Sequence, residues 1–99
     1  MPQNTVRIVA RLTALPDRVN DVRLLLEALI EPTRREAGCI SYELLQNKAD
    51  PTDFTFVEEW AGDQAIDAHL GSEHIQNAIK CTATLLAAPP DIRKYSLLR

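Results

Sequence analysis

Residues 38–60, GCISYELLQNKADPTDFTFVEEW, decide the fold. Gly38 stops the segment before it by supplying the left-handed residue that a helix end favours. Across residues 40–47, Ile40, Tyr42 and Leu44 fall on one face of a strand. Lys48-Ala49-Asp50-Pro51-Thr52-Asp53 is turn chemistry. Residues 54–60 alternate again, with Phe54, Phe56, Glu58 and Trp60 on one face and Glu59 turned the other way. Two strands separated by a six-residue gap predict a hairpin.

Upstream, residues 5–14 put Val6, Ile8, Ala10 and Leu12 on one face and Arg7, Val9, Arg11 and Thr13 on the other, a half-buried strand. Pro16-Asp17 punctuates, and Asp17 is a candidate helix cap. Val19, Val22, Leu25, Leu26, Leu29 and Ile30 then recur at helical spacing. Pro32 removes the bond to the carbonyl of Ala28, so a kink is expected there. Downstream, residues 63–70 predict a short helix ended by Gly71. Ser72 is the expected cap of the next, whose inner stripe is Ile75, Ala78, Ile79, Thr82, Leu85 and Leu86. Pro89-Pro90 ends it, and residues 92–98 predict a last strand.

The order strand, helix, strand, strand, helix, strand is an α+β, ferredoxin-like βαββαβ arrangement. Two right-handed crossovers lay both helices on one face of a four-stranded antiparallel sheet. The other face, with Val9, Leu45, Val57, Tyr95 and Leu97 among Arg11, Glu43 and Glu59, is too apolar at its centre to sit in water. Packing two such sheets together predicts a symmetric homodimer.

Composition removes several classes of function. The 99 residues, 45% hydrophobic and 25% charged, fit one globular domain over residues 1–99 and exclude disorder or low complexity. No apolar run approaches the ~20 residues of a membrane span. Pro2-Gln3-Asn4 does not open a signal peptide, and a soluble cytoplasmic protein is expected. With 14 acids against 11 bases and a formal charge of −3, no concentrated positive face exists for nucleic acid. Cys39 and Cys81 lack metal-ligand spacing and are expected to be free, small buried hydrophobes.

The candidate chemistry gathers around residues 54–74. Glu58 stands between aromatic rings, so helices above it would desolvate the carboxyl and raise its pKa; the alternative is an ion pair with an arginine such as Arg34. His69 lies on the inward side of its short helix, where Trp60 and Glu58 project towards it, and the three could line a pocket; the alternative is a satisfied core histidine. His74, in the first turn of the next helix, should stay neutral near the positive helix end, or else assist the cap. Two histidines five residues apart, with no Cys or carboxylate at a matching interval, predict no metal site. No GxSxG, P-loop, GxGxxG or HExxH is present.

The run Glu31-Pro32-Thr33-Arg34-Arg35-Glu36-Ala37-Gly38-Cys39-Ile40-Ser41-Tyr42-Glu43-Leu44 resembles the helix-to-strand signature of the antibiotic biosynthesis monooxygenase (ABM) domain. Phe56-Val57-Glu58-Glu59-Trp60, Ala68-His69-Leu70 and Ser72-Glu73-His74 do too. Their order and spacing are similar to the quinol monooxygenase and autoinducer-2 phosphate-processing branches. The resemblance implies a dimeric α+β barrel with one pocket per subunit. It also implies, as in several members, oxygenation of an electron-rich phenol or dihydroquinone without flavin, haem or metal. Haem-degrading relatives carry an Asn, a Trp and a haem-ligating His at the positions of Ala10, His69 and Ile79, so haem chemistry is not implied.

These readings together predict a cofactor-free monooxygenase acting on a small aromatic or quinol-like substrate and O2. Tyr42, Phe54, Phe56, Trp60 and Ile79 would hold a flat ring. His69 would take the phenolic proton, with Glu58 or His74 as relay, and Arg34 or His74 would stabilise negative charge on oxygen. Two alternatives remain at this stage. One is an isomerase or processing enzyme for a small phosphorylated carbonyl compound, with Arg34 on the phosphate. The other is a dimeric small-molecule-binding module without catalysis.

Overall fold

A computed structural model describes residues 5–99; the polar Pro2-Gln3-Asn4 start lies outside the described residues. The strands are β1 (Val6–Thr13), β2 (Cys39–Gln46), β3 (Asp53–Trp60) and β4 (Asp91–Tyr95). The helices are α1 (Val19–Glu27), α2 (Ile30–Arg34), α3 (Asp63–Leu70) and α4 (Glu73–Thr82). The sheet runs β2-β3-β1-β4 with every neighbouring pair antiparallel, the ferredoxin-like arrangement. Among the described residues, no helix is long and apolar enough to cross a membrane.

Side-chain parity builds the layers. Ile8, Ala10 and Leu12 of β1 and Phe54, Phe56, Glu58 and Trp60 of β3 are all buried on the face that the helices cover. Val22 and Leu26 of α1, Ile66 of α3 and Ile75 of α4 close onto them. Each such large side chain contributes about 1.5–3 kcal/mol by leaving water. The opposite face carries Val9, Val57, Leu45 and Tyr95, of which Leu45 and Tyr95 are about half exposed.

Seven local expectations need correction. Ile40 does not share a face with Tyr42: a bulge between Cys39 and Ser41 pairs Cys39 with Trp60 and leaves Ile40 exposed. The first helix breaks at residues 28–29, before Pro32, where the Leu29 amide turns to the Leu26 carbonyl. Pro32 then sits in the first turn of α2, where its missing N–H matters little. Asp17 caps nothing, since Arg18 occupies the cap position of α1. Ser72 is the cap residue of α4, but its hydroxyl donates to the His69 carbonyl at 2.6 Å and accepts from no amide of α4.

The fifth correction concerns the end of α4, which stops at Thr82. The chain then returns as a strap: Leu86 bridges Ala14, and the Ala87 amide donates to the Thr13 carbonyl at 2.7 Å. Backbone pairing with the end of β1 outweighs the four further residues of helix, to Leu86, that would leave those groups without partners. β4 is shorter than the sequence predicts, and Leu97 lies beyond it. Cys39 and Cys81 are free, but only Cys39 packs against the core; Cys81 is exposed.

Gly38 has φ +86°, as its role at the helix stop requires. It also permits a close approach, because a Cβ there would lie 2.5 Å from that of Ala65 on α3. The turn after α2 thereby presses against α3, one helical turn before His69.

Candidate active site

Between the sheet and the roof lies a cavity of about 100 Å³. Its floor is aliphatic and aromatic, with Ile8, Ala10 and Leu12 of β1, Tyr42 of β2 and Phe56 of β3. Its roof is α4, through Ile75, Ala78, Ile79 and Thr82. The half-exposed Ile79 and Ile92 and the partly exposed Leu70 border its mouth. A second hollow, about 430 Å³, follows the strap and shares Ile79, Thr82 and Pro90 with the first. A closed apolar cavity of about 150 Å³ holds a benzene ring. The inner cavity therefore matches one ring at most, and anything larger must extend along the strap.

Three titratable side chains line the inner cavity, Tyr42, Glu58 and His69. Glu58 is buried, and its Oε1 accepts the indole N–H of Trp60 at 2.8 Å. Burial raises the carboxyl to about 7; the indole hydrogen bond pulls it down and the nearby Glu36 charge pushes it up. No cation among the described residues pairs with it, so the alternative of an ion pair with Arg34 does not hold. Arg34 instead donates from Nε and Nη2 to the Tyr42 carbonyl at 3.1 and 2.9 Å, which fixes the turn to β2 and keeps its charge out of the cavity.

His69 is almost fully buried, 4.6 Å from the Trp60 ring and edge-on to Tyr42 at 5.8 Å between centroids. Its Nδ1 lies 2.8 Å from Glu36 Oε2, and His74 Nε2 lies 2.7 Å from the same oxygen. A carboxylate only accepts, so both nitrogens carry their protons towards Glu36. In the neutral form of His69 this fixes one tautomer, with the lone pair on Nε2, the ring nitrogen not engaged by Glu36. Glu36, His69 and His74 bring one donor atom each to within 4.8 Å of one another, a set that could hold a metal ion among the described residues.

Of the other residues assigned to the site by sequence, Tyr42, Phe56 and Ile79 line the cavity. Tyr42 stacks on Phe56 at 4.7 Å, and burial pushes its phenol well up, leaving it neutral. Phe54 and Trp60 do not line the cavity; both are core residues beneath it, and Trp60 acts through its bond to Glu58. His74 stands outside it, a quarter exposed, behind Glu36. Glu36 is the residue that sequence reasoning missed. It is 33 residues from His69 in the chain, and its one signal is Gly38, which brings its turn against α3.

Comparisons with known proteins agree with this architecture. The model of the family described as antibiotic biosynthesis monooxygenase matches residues 5–80. Rv0793 of Mycobacterium tuberculosis, provisionally named a monooxygenase, is 38% identical over 84 residues, covering 85% of this chain and 82% of that protein. Its solved structure superposes with a TM-score of 0.91 at 33% identity over 96% of both chains. PA3566 of Pseudomonas aeruginosa superposes with a TM-score of 0.92 at 30% identity, covering 97% of this chain and 96% of that one. The protein sll1783 of Synechocystis is 29% identical over 90 residues; that match covers 91% of this chain and 61% of the longer protein.

Proposed function

The chain belongs to the antibiotic biosynthesis monooxygenase family, and we propose that it is a cofactor-independent monooxygenase that converts a phenol or dihydroquinone ring to a quinone. The observation that carries this reading is that a carboxyl raised to about 7, Glu58, and an imidazole, His69, line the same largely apolar cavity.

Without a cofactor the substrate must supply the electrons. His69 Nε2 takes the phenolic proton, because the phenolate is a far better electron donor than the phenol. The phenolate passes an electron to O2, and the two radicals combine at a ring carbon as a peroxide. That carbon keeps one oxygen atom as the new carbonyl. The other leaves as water with the phenolic proton and the proton of the ring carbon, so four electrons pass from ring to O2. Glu58, with its carboxyl near pH 7, gives and retakes the proton needed at the departing oxygen. Tyr42 and Phe56 hold the ring flat, and the roof excludes water that would quench the radicals.

Glu36 is a positioning residue here: it fixes the His69 tautomer, and His74 in turn orients Glu36. The phosphorylated-carbonyl reading loses support, because no Arg or Lys lines the cavity among the described residues. For the assembly we propose a homodimer through the open sheet face, which supports residues Val9, Leu45, Val57 and Tyr95 at the centre of the contact.

The test is turnover under 18O2 with a panel of one- and two-ring phenols and dihydroquinones. The expected product carries one labelled oxygen in the quinone, and catalase returns no O2. His69→Ala should lower kcat by ~10²–10⁴-fold. Saturable binding of the same aromatics with no O2 uptake would replace the reading with a non-catalytic binding module.

A further inference from the structure

We propose that Glu36, His69 and His74 form a binding site for a borderline divalent transition-metal ion such as Zn²⁺. Their donor atoms, Glu36 Oε2, His69 Nδ1 and His74 Nε2, come from the turn after α2, the end of α3 and the first turn of α4, all within 4.8 Å of one another. Two imidazole nitrogens and one carboxylate oxygen suit zinc and its neighbours; magnesium and calcium prefer all-oxygen shells.

Two adjustments would seat an ion: the imidazole nitrogens, up to 4.8 Å apart, must close by up to about 1.5 Å, a movement left to the part-exposed His74, and the Glu36 oxygen must withdraw. With zinc–ligand bonds of about 2.0–2.1 Å, a tetrahedral ion keeps its ligand atoms about 3.3 Å apart. The carboxylate oxygen, at 2.8 and 2.7 Å from the two nitrogens, would withdraw by about 0.5 Å, a small rotation of the Glu36 side chain. His69 is already held by Trp60 and Tyr42 on its ring. His74 is 26% exposed, so an ion can enter from that side and keep a water as its fourth ligand. The Ser72 hydroxyl, 3.3 Å from His74 Nε2, stands beside this entry.

The ion would act as an inhibitor. A metal takes the Nδ1 lone pair, so the proton of neutral His69 must move to Nε2. Nε2 then donates where it had accepted, and the base facing the cavity is lost. This consequence rests on the proposed function; the binding itself does not.

The test titrates the full chain, stripped with chelator, with Zn²⁺ by calorimetry and with Co²⁺ by visible absorption. One ion per chain is expected, with cobalt bands of a tetrahedral nitrogen–oxygen site and no thiolate charge transfer from Cys39 or Cys81. His74→Ala and Glu36→Gln should each weaken binding by more than about 100-fold, beyond the loss typical of an outer-shell change. Should Glu36→Gln fail to fold, His74→Ala, near the surface, decides alone. No saturation at one ion, or binding unchanged in His74→Ala, would overturn the proposal. One equivalent of zinc should also abolish phenol-dependent O2 uptake. A chain that binds zinc in this way but never consumes O2 would overturn the proposed function and leave the metal site standing. O2 uptake indifferent to bound zinc would overturn the inhibitory consequence.

Discussion

Glu58 and Glu59 are neighbours on one strand, with the same side chain and opposite circumstances. Glu59 points to the open face of the sheet, 3.6 Å from the Arg7 guanidinium on the adjacent strand and partly in water. Glu58 points under the helices, is 4% exposed, accepts a bond from Trp60 and is raised to about 7 by burial. A single step of strand parity separates a solvated structural ion pair from a desolvated carboxyl with a raised pKa. The lesson is that the helical roof, and not the residue type, makes the chemistry available.

The largest expected effect comes from prising the roof away from the covered face. Gly38→Ala forces a side chain into φ +86° and its Cβ to 2.5 Å from that of Ala65. Strain and overlap together should cost about 2–5 kcal/mol, lowering Tm by more than about 10 °C. A thermal scan showing an unchanged Tm would mean that the turn and α3 do not touch as described.

The second effect separates the two glutamates by pH. In the unfolded chain Glu58 titrates at its ordinary value of 4.5, and in the folded chain at about 7. Between these values the folded state binds the extra proton, so stability falls as pH rises through that window and the penalty is complete above it. Glu58→Gln removes the penalty. It should therefore stabilise the protein by up to about 3 kcal/mol at pH 8 and by almost nothing at pH 4. Urea denaturation at the two pH values reads the difference, and an equal shift at both would contradict it.

The smallest effect belongs to the open face. Glu59→Gln removes one partner of a partly solvated ion pair, so stability should change by less than about 1 kcal/mol. That change should shrink with added salt. A larger loss would show that the open face carries more of the fold than its exposure suggests.

Much of this contrast is legible in sequence. The alternation of β1 and β3 separates Glu58 from Glu59 and assigns the covered face, because strand parity is a local property. The bounds of α3 follow from its spacing and Gly71. What sequence misses is set by partners distant in the chain. The bulge that turns Ile40 outward answers to the β3 register, and the early end of α4 answers to the backbone of β1. Arg34 is drawn to the Tyr42 carbonyl, a group that no side-chain pattern reveals. Glu36 meets His69 and His74 across 33 and 38 residues of chain, so no spacing rule connects them.

The direct measurement is a pH titration of the Glu58 carboxyl carbon by 13C NMR, assigned by its absence in Glu58→Gln. A midpoint about 2.5 pH units above the ordinary 4.5, moving further when a phenol fills the cavity, is the expected result. A midpoint near 4.5 that ignores the phenol would contradict the account, because the carboxyl would then be neither desolvated nor beside the bound ring.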